Sequence, residues 1–158
     1  MTDASDLYSM LSGGSSSFFS LAIYVLTVIA WWKLFTKAGE AGWKSIIPIY
    51  NMIVLFKLTW KVSKFWLLFV SVFAGVFMIS IGIAMQKLGA VGMGVTIVLV
   101  LVGAVLLIYG YVLDIISSFK LSKAYGQGTG FGVGLWLLPV IFVLILGFGS
   151  AQYVGPQD

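Results

Sequence analysis

Residues 65–113 read FWLLFVSVFAGVFMISIGIAMQ-K-LGAVGMGVTIVLVLVGAVLLIYGYVL, two apolar runs parted by the single charge of Lys87. A helix of about 20 apolar residues crosses a hydrocarbon core of about 30 Å, and each run is long enough. The connection at residues 87–92 is short and glycine-rich, which predicts a tight antiparallel hairpin. Residues 7–32 and 124–157 are equally free of Asp, Glu, Lys and Arg. The expected fold is therefore all-α and polytopic, with transmembrane helices at about residues 17–35, 65–86, 92–119 and 133–153.

The composition agrees. The 158 residues are 61% apolar and 9% charged, against roughly 45–50% and about 25% in soluble domains. One domain of this size cannot hide so much apolar surface from water, so lipid must solvate part of it. The division expected is a polar exterior N-terminal tail at 1–16, a four-helix membrane domain at 17–153 and a short exterior C-terminal tail at 154–158. Asp3 and Asp6, with no positive region ahead of the first apolar run, argue against a cleavable signal peptide.

Lys33, Lys37, Lys44, Lys57, Lys61 and Lys64 all fall between the first and second apolar runs, and Lys120 and Lys123 follow the third. The intervening connection holds only Lys87. The positive-inside rule then puts the first and third connections in the cytoplasm and both termini outside. The net charge of +4 needs no nucleic acid, since lysines beside membrane spans meet anionic headgroups. The absence of Arg removes the usual fork for bases and phosphates.

Within the first connection, residues 43–58 are apolar, but their uncharged core at 45–56 is only 12 residues. That is roughly 18 Å of helix, too short to cross. An interfacial or re-entrant helix is expected there, with Pro48 in its first turn. Lys57, Lys61 and Lys64, spaced i, i+4 and i+7, are expected on one helix face.

Catalytic machinery is scarce. There is no Cys and no His, which removes thiolate chemistry, the commonest metal ligand and the commonest general base. No metal and no cofactor is expected, and no enzyme. The glycines alternating from Gly126 to Gly134 lack the preceding strand and following Lys-Ser/Thr of a phosphate loop. A flexible entry to the fourth span is the better reading.

Two patterns remain. Gly89, Thr96, Gly103, Gly110 and Ser117 recur every seven residues, and Gly75 and Gly82 echo them on the preceding span. Small residues let helix backbones approach closely in lipid, either within the chain or against a second copy or partner subunit. Asp114 is the one ionisable residue well inside a span, where a carboxylate costs roughly 2.5–3.5 kcal/mol near a helix centre. It would pair with Lys57, Lys61 or Lys64, handle an ion, proton or substrate, or reach the headgroups.

The blocks GWKSIIPIYN (42–51), LSKAYGQG (121–128) and FGVGLWLLP (131–139), with Ile141, Phe142, the LGFG of 146–149 and Tyr153, resemble a family of small four-span bacterial membrane proteins of unknown function. Members often carry a signal peptidase I label. The resemblance implies a bacterial inner-membrane location and brings no activity. Signal peptidase needs a Ser–Lys dyad in an exterior β-domain, for which this chain has no segment. The function expected is a non-enzymatic membrane component, a small homo-oligomer or an accessory subunit, with membrane lipids and itself or another membrane protein as partners. An ion or small-solute channel using Asp114 is the alternative.

Overall fold

The computed structural model describes residues 4–156, with side chains from Phe18 onward. It is all-α among those residues. Helix α1 spans Ala4–Lys37, a 3-10 turn at Gly42–Ser45 leads into α2 (Pro48–Thr59), and α3 (Val62–Met85) is joined to α4 (Gly89–Ala124) by a second 3-10 turn at Gln86–Leu88. Two short helices follow, α5 (Thr129–Leu137) and α6 (Pro139–Phe148). The polar tail expected at 1–16 is helical from Ala4 on. Once the apolar helix is nucleated, each added residue needs only one further hydrogen bond. Residues 1–3 and 157–158, with the expected exterior end, lie outside the described residues.

Two helical stretches are long and apolar enough to cross a membrane, Phe18–Lys37 and Val62–Ala124. The second is folded at Gln86–Leu88 into the α3–α4 hairpin. Gly89 makes the reversal possible with φ +71, a left-handed conformation costly for any residue with a Cβ. The arms pack along their small residues. A Cβ on Gly75 would sit 2.9 Å from the Gly103 carbonyl oxygen, and one on Gly110 2.9 Å from Ser71 Oγ. Nearer the turn, Thr96 Oγ1 donates to the Gly82 carbonyl at 2.6 Å and to Gly92 of its own helix at 2.9 Å. Gly103, Gly110, Thr96 and Ser117 are all buried, whereas Gly89 meets nothing and serves the turn.

The fourth span is corrected. Residues 133–153 do not form one helix: Pro139 starts a new helix after Leu138, whose backbone leaves the helical region (φ −134, ψ 61). Proline has no N–H to continue the ladder and clashes with the preceding turn. The resulting helices of 9 and 10 residues are each roughly 15 Å long, about half a hydrocarbon core. They fold back on one another, with Phe131 and Phe142 edge to face at 5.0 Å. Gly134 lies directly under the Phe142 ring, where a Cβ would collide with it. The hairpin returns to its starting point, since the Val154 amide donates to the Ala124 carbonyl at 2.8 Å. The segment after α6 thus lies at the same end of the molecule as the C-terminus of α4, not at the opposite end as a fourth crossing requires.

The packed core gathers at this end. Ala30, Leu34 and Phe35 of α1, Val54 and Leu58 of α2, Leu121 and Ala124 of α4, Leu135, Val143 and Leu146 form one buried cluster with Tyr125. Polar ties cross it. Tyr125 donates its hydroxyl to the Leu34 carbonyl at 2.7 Å, and Tyr153 to that of Leu58 at 2.6 Å. Lys37 Nζ donates to the carbonyls of Leu146 and Gly149 at 2.9 and 2.8 Å, a cation capping the C-terminal end of α6 where the helix dipole favours it. Away from this end, the described residues of α1 do not pack along α3 or α4. Its side chains there, Phe18, Phe19 and Leu21 among them, are exposed.

Candidate functional site: a carboxylate at the tip of a broken helix pair

Asp114, Ser117, Ser118 and Leu121 follow at i, i+3, i+4 and i+7 on α4, so they share one face. That face, together with Trp31 of α1, Leu55 of α2, Leu135 of α5, and Pro139 and Val143 of α6, lines a half-open cavity of about 130 Å³. Pro139 opens α6, so the positive end of that helix dipole and Asp114 border the same space. Ser117 and Ser118 donate their hydroxyls to the Asp114 carbonyl at 2.8 and 3.3 Å, which leaves the carboxylate itself uncommitted by them. Asp114 sits at the rim, with its surface exposed.

The lysines expected to pair with Asp114 do not. Lys57 Nζ is bonded to Glu40 at 2.7 Å, and Lys44 holds the other oxygen of the same carboxylate. Lys64 Nζ lies over the Trp60 ring, 5.3 Å from its centroid. Nor do Lys57, Lys61 and Lys64 share a helix face. The helix breaks at Trp60 (φ −151, ψ −120), Lys57 belongs to α2, and Lys61 caps the start of α3 in extended conformation. Glu40 reaches Lys57 because the turn after α1 carries it to the C-terminal end of α2. The two lysine hydrogen bonds hold the Glu40 carboxyl below its ordinary range and outweigh its partial burial. The i, i+4 spacing of Glu40 and Lys44 was visible in the sequence; the tie to Lys57 was not.

Among the described residues no group of three or more His, Cys, Asp or Glu side chains converges. Other hollows are less discriminating. One of about 180 Å³ lies between the start of α5 and the end of α6, beside Gln127 and Gly149. Another of about 410 Å³ is an open depression on the far hairpin turn, by Gln86 and Met93. The residues that close the Asp114 cavity from α5 and α6 escape a sequence reading that carries the fourth span straight through Pro139. That proline was the available signal.

No curated protein and no solved structure matches the chain. A family model covers residues 43–156, from the turn before α2 to the end of the described chain, and so includes α2, the hairpin and the broken pair but not α1, which gives the cavity its Trp31. The chain belongs to that family, the Family of unknown function (DUF5684).

Proposed function

We propose that the chain is a non-enzymatic integral component of a bacterial inner (cytoplasmic) membrane, working as a small homo-oligomer or as an accessory subunit of a larger membrane complex. One observation carries this reading: the core lies at a single end, while the outer reaches of α1 and of the α3–α4 hairpin leave it bare and apolar. Phe73, Phe77 and Val105 are 61%, 65% and 65% exposed. Water cannot solvate such helices cheaply, and lipid or another membrane protein can. The separation of α1 from the hairpin leaves a lateral gap that a second copy or a partner helix fills well, since protein packs where lipid tails fit poorly.

In this reading α1, α3 and α4 cross the membrane. The lysine-bearing end, which carries Lys37, Lys44, Lys57, Lys64, Lys120 and Lys123, faces the cytoplasm. Helix α2 and the α5–α6 pair enter from that side, and irregular backbone at such depth is tolerated when protein covers it. Native mass measured in lipid nanodiscs, read with co-purifying proteins, is the test. A bare monomer with no partner across several mild extractions would sink the proposal.

Movement of an ion or small solute past Asp114 is the second reading. It is favoured by the meeting of a helix break with a lone carboxylate, an arrangement that membrane carriers use at their binding sites. Flux in liposomes that disappears with Asp114→Asn in a folded protein would support it. No flux under any gradient would remove it.

A further inference from the structure

We propose that the start of α3 binds one anionic phospholipid of the cytoplasmic leaflet, its phosphate on Lys61 and Lys64 and a tail along the aromatic stripe that follows them. The proposal rests on the membrane reading above and adds to it a site and a lipid class. The Lys64 amide donates to the Lys61 carbonyl at 2.9 Å, so the two lysines are one turn apart at the head of the helix. Lys61 is exposed, and its ammonium has no partner among the described residues. Lys64 Nζ stands 5.3 Å from the Trp60 ring centroid, a contact that places the ammonium and leaves its N–H donors to give. Glu40, the nearest acid in sequence, already holds Lys44 and Lys57.

Below the lysines, Trp66, Val70, Phe73 and Phe77 follow at i, i+4, i+7 and i+11, so they form one line down α3, and all four are exposed. Phe69 stiffens the line, with its ring 6.0 Å from that of Trp66 and 4.3 Å from that of Phe73. Ser80 and Ala84 continue it with small side chains. The bulky stretch from Trp66 to Phe77 is roughly 16 Å of helix, about half of a hydrocarbon core of about 30 Å. That is the depth of one leaflet.

Head and stripe together decide the ligand. A soluble acidic partner would use the lysines and leave the aromatic line bare. A zwitterionic lipid would cover the line but bring its own ammonium to the lysines. A lipid of net negative charge suits both parts. Lysine binds phosphate as a point charge, an anionic headgroup layer attracts each lysine near it, and Trp66 stands where a tryptophan marks the boundary of head and tail.

The test is native mass spectrometry of the full chain in mild detergent, titrated with phosphatidylglycerol, with phosphatidylcholine of the same tails, and with glycerol 3-phosphate as the head without tails. Saturable retention of one phosphatidylglycerol per chain is expected, with phosphatidylcholine about tenfold weaker and glycerol 3-phosphate not retained. Lys61→Gln with Lys64→Gln should lower phosphatidylglycerol affinity by about tenfold, as loss of two lysines at an anionic surface requires. Phe73→Ala with Phe77→Ala should weaken both lipids, and Lys87→Gln at the opposite turn should change neither. Equal retention of the two lipids, indifference to the double lysine change, or glycerol 3-phosphate bound as well as the lipid would each overturn the proposal. If the lysine variant fails to fold, the three ligands on wild type and on the Lys87→Gln chain decide. A chain that stays in membranes through an alkaline wash but does not distinguish the lipids removes this site alone, whereas one that washes off removes the membrane reading.

Discussion

Val154 donates its backbone amide to the carbonyl of Ala124 at 2.8 Å, closing the whole α5–α6 excursion into a loop that begins and ends at one point. This bond returns residue 154 to the end of α4, which in the proposed membrane reading puts both on one side. The first prediction follows from it. A reporter fused after Pro156 and one inserted at Gly39 should give the same sidedness, both cytoplasmic. Opposite signals would mean that α5 and α6 unfold into a true span in the membrane.

The α3–α4 contact is set by backbone approach. Gly103→Leu should destabilise strongly, by about 2–4 kcal/mol, because an oversized side chain in a close-packed contact strains or separates its neighbours. A Cβ there already comes within 2.8 Å of the Gly75 carbonyl and 2.7 Å of Ile79. Leu101→Ile, on an exposed face, should be nearly neutral. Thermal unfolding in detergent compares them, and equal tolerance would contradict the packing argument.

Lys37 holds two carbonyls at the end of α6, Leu146 and Gly149. Lys37→Met keeps the apolar stem but removes both bonds, and hydrogen bonds to charged groups contribute about 1.5–3 kcal/mol each when well shielded. Part of this pair is exposed, so a total loss of about 1–3 kcal/mol is expected. Faster hydrogen exchange confined to residues 139–149 would locate it. Exchange unchanged there would assign the capping role elsewhere.

Tyr125→Phe tests the tie between the ends of α4 and α1. The buried hydroxyl reaches the Leu34 carbonyl at 2.7 Å, and its loss removes that bond, for about 1 kcal/mol, while the carbonyl keeps the Ala38 amide at 3.2 Å. Burial, with Tyr153 adding to it, pushes the Tyr125 phenol above its ordinary range, so its ultraviolet titration should be absent below the unfolding limit. A phenol titrating with the exposed tyrosines would contradict the buried geometry.

Glu40 should govern acid stability at the lysine-bearing end. Its folded carboxyl is held below the ordinary 4.5, first by the Lys44 hydrogen bond and then by that of Lys57. The folded state therefore binds the proton less readily than the unfolded one. Its contribution is fully present above the ordinary value and disappears as pH falls through the lowered one. Wild type should exceed Glu40→Gln in melting temperature at pH 7, and the difference should close on acidification. A constant difference down to pH 3 would show that the carboxylate is not responsible.

Much of the architecture was legible in residues alone. Hydropathy runs and the lone Lys87 marked the α3–α4 hairpin, whereas Gly89, read as part of the packing seam, serves the turn instead. The seven-residue series placed Thr96, Gly103 and Gly110 on one face, and lysine counts picked out one end. These are properties of neighbours along the chain, and a helix converts spacing into direction without further information.

The fold-back of residues 124–154, the choice of Glu40 over Asp114 by Lys57, and the cavity itself belong to the tertiary structure. An apolar run is satisfied equally by crossing lipid or by lying against protein, because transfer energy records removal from water and not which surface does the covering. An ion pair forms where folding brings charges within reach, and Lys57 meets an acid seventeen positions away because the turn after α1 delivers it. The Asp114 cavity needs Trp31, Leu55, Leu135, Pro139 and Val143 from four helices. Their spacing along the chain carries no period, so only packing could assemble them.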